Sequence, residues 1–196
     1  MMQFVLATFN RDKVREMRNR MRRYRVEIIA YAELQGVSSP VETGATLVEN
    51  ARLKAQAALE RTGLPAIGDD TGLEIDALGG RPGVRSARYS GPGSSDRRNL
   101  EAVLAQLSSL PRQARRARFR TVMVACFPDR PEIVAEGVLE GVITESPRGQ
   151  GGFGYDSIFE VAGDGRTLAE LSLEEKTRIS HRTLALDALL REIGLT

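Results

Sequence analysis

Cysteine, histidine and lysine are all scarce in this chain. A single cysteine, Cys126, leaves no internal disulfide, which makes a cytoplasmic protein the simplest reading. A single histidine, His181, excludes a histidine-based metal site. No apolar run approaches the roughly 20 residues that a membrane-spanning helix needs. The start, Met1-Met2-Gln3-Phe4-Val5-Leu6-Ala7, passes from a strand pattern into charge, without the longer apolar core and cleavage site of a secretory signal. A net charge of +2 is too small to argue for nucleic acid. The basic runs Arg15 to Arg25 and Arg112 to Arg120 have no stacking aromatics between their charges and read as solvated surface.

Of 28 basic residues only three are lysines, Lys13, Lys54 and Lys176. A chain this rich in arginine keeps lysine where a compact ammonium is needed and a planar fork does not fit.

The 196 residues suit one domain, 1–196. Gln3 to Ala7 reads as a strand, Thr8 to Asp12 as a polar turn, and Lys13 to Arg23 as a helix with Val14, Met17 and Met21 on its apolar stripe. Val26 to Ala30 is a second strand. Thr46 and Glu49 form a capping box for a helix that Gly63 stops. Ala66 to Gly68 and Leu73 to Ala77 read as strands on either side of an acidic turn. A helix over Ser94 to Leu107 follows. Arg118 to Cys126 and Ile133 to Ile143 make a hairpin, with a brief strand at Ser157 to Phe159. Ser172 and Glu175 form a second capping box that opens one final helix. Strands and helices mix without strict alternation, which predicts a mixed sheet flanked by helices.

Five segments carry chemistry. Thr8-Phe9-Asn10-Arg11-Asp12-Lys13 joins a strand end to a helix start, where backbone N–H groups favour anions, but it lacks the glycines of a phosphate-loop fingerprint. Asn50 and Lys54 share a helix face, with Glu49 and Glu42 nearby in sequence. Asp69-Asp70-Thr71 sets two carboxylates side by side, a costly pairing that a hard cation such as magnesium resolves. In Gly149 to Asp156, glycines let the backbone approach a ligand while Phe153, Gly154, Tyr155 and Asp156 offer rings and a carboxylate. Lys176, Ser180, His181 and Arg182 supply donors at helical spacing.

These segments, with Gly79 to Gly83 and Ser86 to Tyr89, occur in an order that resembles the inosine triphosphate pyrophosphatases, which act on non-canonical purine nucleotides. The resemblance covers nearly the whole chain. It implies an elongated α/β protein of two lobes with a central cleft, usually a homodimer, that splits ITP, dITP or XTP between the α and β phosphates with magnesium. Asp70 would be the general base and a metal ligand, with Asp69 and Glu42 as further ligands. Thr8, Phe9, Asn10, Arg11, Asp12, Lys13, Lys54 and Thr71 would hold phosphates and sugar, with Glu49 and Asn50 in support. Phe153, Gly154, Tyr155, Asp156, Lys176, His181 and Arg182 would form the base pocket. No nucleic-acid or membrane partner is implied. The chain departs from the pattern at Phe9, which stands for glycine and suggests a strained backbone. Gly68, Thr71, Ser157 and Thr183 are milder departures. A pyrophosphatase for modified pyrimidine nucleotides and a nucleotide-binding module without turnover stay open as alternatives.

Overall fold

The computed structural model describes residues 2–22, 24 and 26–195. The expected helix end at Arg23 and the last residue of the first basic run, Arg25, lie outside them, as does Met1. The chain forms two compact units: Met1–Asp70, Thr121–Gly137 and Arg182–Thr196 in the first, Thr71–Arg120 and Val138–His181 in the second.

The strands are β1 (Met2–Leu6), β2 (Val26–Ala30), β3 (Ala66–Ile75), β4 (Pro82–Gly83), β5 (Arg116–Cys126), β6 (Ile133–Ile143) and β7 (Phe159–Val161). They pair in the order β2-β1-β3-β5-β6-β7, with β4 beside β3. β1 runs parallel to β2 and β3, whereas β3–β4 and β6–β7 are antiparallel, so the sheet is mixed as expected. The helices are α1 (Arg11–Met21), α2 (Leu47–Thr62), α3 (Asp96–Leu107), α4 (Leu173–Ile179) and α5 (His181–Ile193).

The first unit is ordered by the period of two along its strands. Phe4, Leu6, Ile67, Met123 and Ala125 face Met17 and Met21 of α1 and Leu186, Leu189 and Leu190 of α5. The alternate residues Val5, Ala7, Ala66, Val124 and Cys126 face α2, which meets them with Ala51, Ala55 and Ala58. The second unit gathers Leu73 and Ile75 of β3, Val103 and Leu107 of α3, and Phe119, Ile143, Tyr155 and Phe159 into one core.

Two expectations are corrected here. Asp69-Asp70 is not a turn between strands: β3 runs unbroken from Ala66 to Ile75, with the carboxylates in its middle. The hydrophobic pattern breaks at those residues, while the backbone keeps its pleat. The final helix is two helices. Ser180 ends α4 in an extended conformation, φ −64° and ψ 143°, and α5 starts afresh at His181. Lys176 and Arg182 are therefore not one helical face, and they fall in different units.

Candidate active site

In the first unit the pleat of β3 decides what each aspartate meets. Successive side chains leave a strand on opposite faces. Asp69 shares the face of Ile67 and reaches α1, where its Oδ2 accepts from Lys13 Nζ at 2.6 Å, with Arg182 Nε of α5 at 4.0 Å. Asp70 shares the face of Gly68 and reaches α2, where it accepts from Lys54 Nζ at 3.1 Å and from Asn50 Nδ2 at 3.1 Å. The adjacent carboxylates thus leave the strand on opposite faces, one toward Lys13 and one toward Lys54. Among the described residues no three acidic, histidine or cysteine side chains gather as a metal cage.

Their electrostatics diverge as well. Burial alone would raise Asp69, but Lys13, Arg182 and Lys54 outweigh it and hold its carboxyl below the ordinary range. For Asp70 burial wins over Lys54 and Lys13, and its carboxyl lies above that range. Burial opposes the Lys54 ammonium, yet Asp69, Asp70 and Glu42 together keep its pKa raised. The surrounding cations thus favour the anionic form of Asp69, whereas burial favours the protonated form of Asp70.

Glu42 arrives through Asn50. The buried Asn50 accepts from Gly44 N–H at 2.8 Å through Oδ1 while donating to Asp70. A Cβ on Gly44 would lie 2.7 Å from that Oδ1, so only glycine allows the approach. The loop so pinned sets Glu42 Oε1 2.7 Å from Lys54 Nζ. Two carboxylates therefore converge on one compact cation. Glu49 does not join them: its Oε2 accepts from Ala45 and Thr46 N–H at 2.6 and 3.1 Å, spent on the capping box.

Gly68 matters more than its mild appearance in the sequence. A Cβ there would lie 2.1 Å from Ala51 O and 2.7 Å from Ala55 N, so α2 rests directly on β3 and Lys54 Nζ can also donate to Asp69 O at 3.0 Å. Gly68→Ala should cost about 1–3 kcal/mol by overpacking and lower the melting temperature by about 2–4 °C per kcal/mol. A thermal melt equal to the wild type would refute the tight contact.

The Thr8 to Lys13 turn is a capped helix start. Asn10 Oδ1 accepts from Asp12 and Lys13 N–H at 2.9 and 3.2 Å, and Thr8 Oγ1 accepts from Asn10 N–H at 3.3 Å. No non-glycine residue among those described has positive φ, so Phe9 is unstrained, contrary to the expectation. It is 40% exposed and set edge-on to Tyr31. Glu16 is a residue that sequence reading missed. It is buried on α1 and accepts from Arg182 Nη1, fixing that guanidinium beside Asp69. Its one signal is a carboxylate one helical turn from Lys13.

In the second unit the glycine-rich segment closes around Asp156. Its Oδ2 accepts from Lys176 Nζ at 2.7 Å and from Phe153 N–H at 2.9 Å. Gly152, with φ +77°, leaves room for it: a Cβ would lie 2.1 Å from that oxygen. Asp156 is thus a buried internal anchor rather than a carboxylate offered to a ligand. Tyr155 is also turned inward, donating from its hydroxyl to Ser86 O at 2.7 Å, and burial raises its pKa. Of the two rings only Phe153 stays partly exposed, with Lys176 Nζ 4.7 Å from its centroid. Gly154 donates its N–H to Asp96 at 2.8 Å. His181 is buried and stacked on Phe119, with centroids 4.7 Å apart. Thr71 follows Asp70 and is half-buried.

All three lysines therefore end on buried carboxylates: Lys13 on Asp69, Lys54 on Asp70, and Lys176 on Asp156.

The model of the Ham1 family matches residues 4–192. A dITP/XTP pyrophosphatase of Shigella flexneri is 50% identical over 192 residues, 97% of either chain. One from Geobacillus kaustophilus is 46% identical over 189 residues, 96% of this chain and 93% of that one. Among solved structures, a HAM1 protein from Coxiella burnetii superposes with a TM-score of 0.90 at 41% identity, covering 100% of both chains.

Proposed function

This chain belongs to the Ham1 family, and from that premise we propose that it hydrolyses the non-canonical purine nucleoside triphosphates ITP, dITP and XTP to monophosphate and pyrophosphate. The observation that carries the reading is the contrast between Asp69, locked as an anion by Lys13, and Asp70, buried with a raised carboxyl beside Lys54 and Asn50. A general base needs the second environment.

The donor set suits magnesium. Glu42 and Asp70 bring carboxylate oxygens to one cationic position, and this ion is ordinarily held by one or two carboxylates together with substrate phosphates. When bound, it would neutralise charge growing on the phosphate oxygens. Asp70 takes a proton from the attacking water, the water oxygen bonds to phosphorus, and the bond to the departing pyrophosphate breaks. Asn50 orients the Asp70 carboxylate. Lys13 and Lys54 face the developing negative charge, and Asp69 holds Lys13 in place. Thr8, Asn10, Asp12 and Thr71 are assigned to phosphates and sugar. Phe153, Gly154 and Lys176 are assigned to the purine ring, with Tyr155, Asp156 and His181 shaping the loop and helix that carry them. Arg182, held by Glu16, offers donors only, which suits a 6-oxo purine and opposes the 6-amino group of adenine. The reading carries with it a homodimer, a cytoplasmic location and a role in clearing deaminated nucleotides. No helix among the described residues is long and apolar enough to cross a membrane.

The test is pyrophosphate release with magnesium from ITP, dITP and XTP beside ATP and GTP. The first three should turn over faster than ATP by roughly a hundredfold or more, the discrimination that unpaired buried donors can give, whereas GTP shares the 6-oxo group and has to be rejected at its 2-amino group. Comparable rates on all five would sink the reading.

A further inference from the structure

One face of α1 points away from the Asp69–Asp70 centre, and Phe9 and Arg11, which the resemblance assigned to phosphates and sugar, open onto it. Arg11, Arg15, Arg18 and Arg22 recur along α1 at intervals of four, three and four residues, so they form one stripe. At 100° per residue that stripe lies roughly opposite Lys13, the residue that reaches Asp69. The stripe lines a groove of about 640 Å³ against the stretch after β2, with Phe9 and Glu33 among its walls. The sequence alone reads Arg15, Arg18 and Arg22 as plain solvated surface, because no aromatic stands among them in the chain. The fold supplies one: Phe9 is 40% exposed, and Tyr31 holds it edge-on with centroids 5.9 Å apart.

Charge in the groove is unbalanced. Arg18 is clamped by Glu33 through two bonds of 2.9 and 2.7 Å, and Arg15 is bonded to Asp12 at 2.9 Å. Arg11 and Arg22 have no ion-pair partner among the described residues, and both are exposed. Two guanidiniums are thus left for an anion, beside a pre-oriented ring, and the exposed Arg15–Asp12 pair holds the third only weakly. The volume is that of a small-ligand site. Guanidinium forks match phosphate oxygens in pairs, and an aromatic face accepts a base. A second copy of this chain meeting the groove across a two-fold axis would set the same arginines against each other.

We infer that this groove is a second nucleotide-binding site, separate from the Asp69–Asp70 centre, which takes a free nucleotide with its base on Phe9 and its phosphates on Arg11, Arg15 and Arg22. The ring at position 9 departs from the glycine of the resembled pattern, so the site belongs to chains that carry an aromatic there. The inference goes beyond the proposed hydrolysis and does not require it, because it is read as binding and not as turnover.

The test is equilibrium dialysis of the full-length protein with the non-hydrolysable α,β-methylene analogue of ITP. Two molecules per chain are expected for the wild type and one for Arg15→Gln/Arg22→Gln. The retained site should keep its affinity within about twofold, as distant sites act independently. The lost site should also weaken steeply with salt, since its phosphate contacts to the arginines are ionic. A stoichiometry that does not fall by one from the wild type to the variant overturns the inference. Photolabelling of the wild type with 8-azido-ITP supplies a readout without any variant. Label is expected on the peptides holding Phe9 to Arg22, and label confined to Phe153 to Asp156 overturns it. Loss of self-association in the variant without loss of a nucleotide would make the groove an interface between copies. Binding of a single-stranded oligonucleotide but not of the analogue would make it a nucleic-acid surface. Either result also overturns the inference.

Discussion

Asp70→Asn should lower kcat by about 10²–10⁴-fold on ITP, the usual contribution of a positioned base, while leaving the fold intact. The amide is the same size as the carboxylate and still accepts from Lys54 through its oxygen, but it cannot take a proton from water. The matching control is Asp69→Asn. Asp69 is held as an anion by Lys13, Arg182 and Lys54, so its replacement frees Lys13 and weakens substrate binding without removing the proton acceptor. The two substitutions should therefore separate in steady-state kinetics, with Asp70→Asn acting on kcat and Asp69→Asn chiefly on KM. Near-normal turnover in Asp70→Asn would show that the base is elsewhere. Equal and parallel losses in both would show that the pair acts as one charge cluster, against the division that the pleat of β3 imposes.

Lys54→Met should be the most damaging single change to stability. The ammonium is buried and holds Glu42 at 2.7 Å and Asp70 at 3.1 Å. Removing one partner of a buried ion pair typically costs about 3–5 kcal/mol, because the partner charge stays behind without compensation. The loss should depend on pH. The Asp70 carboxyl already lies above its ordinary range because of burial, and the variant removes the strongest cation opposing that shift. A carboxyl whose folded pKa exceeds its unfolded value stabilises the protein below the unfolded pKa, and that contribution is lost as pH rises through the folded one. The metal-free variant should accordingly melt closest to the wild type in mild acid and fall furthest behind at neutral pH and above. Denaturant unfolding at both ends of that range checks it, and a pH-independent deficit would contradict it. Lys54→Arg is the companion test. Glu42 at 2.7 Å and Asp70 at 3.1 Å converge on one ammonium, so the larger planar fork should retain much of the stability but lose activity. Full activity in the arginine variants of Lys13, Lys54 and Lys176 together would refute the reading of why this chain keeps lysine there.

The placement of the candidate site residues on their helices and loops was largely legible in the sequence. Asn50 and Lys54 could be placed on one helix face because the helical period is local, and the capping boxes at Thr46 and Ser172 and the stop at Gly63 depend only on neighbours a few residues away. The scarcity of lysine pointed to three positions, and each proves to end on a buried carboxylate. Where reading failed, the cause was a long-range partner. Glu49 is the local exception, claimed by the capping box that the sequence already showed. Tyr155 looked like a ligand-facing ring until Ser86, 69 residues away, took its hydroxyl. Glu16 drew no notice because its partner, Arg182, lies 166 residues further on.

The sequence by itself determined the inventory of this protein: which acids, lysines and loops are present, which helices carry them, and which family pattern they resemble. Tertiary structure alone decided how that inventory is divided. An acidic pair reads as a single feature in one dimension. A continuous strand sends its members to opposite faces, where α1 and α5 lock Asp69 as an anion and α2 leaves Asp70 with a raised carboxyl. That division follows from the alternation of the pleat and from which helix packs on each face, and neither the sheet order nor the helix packing is a local property of the chain.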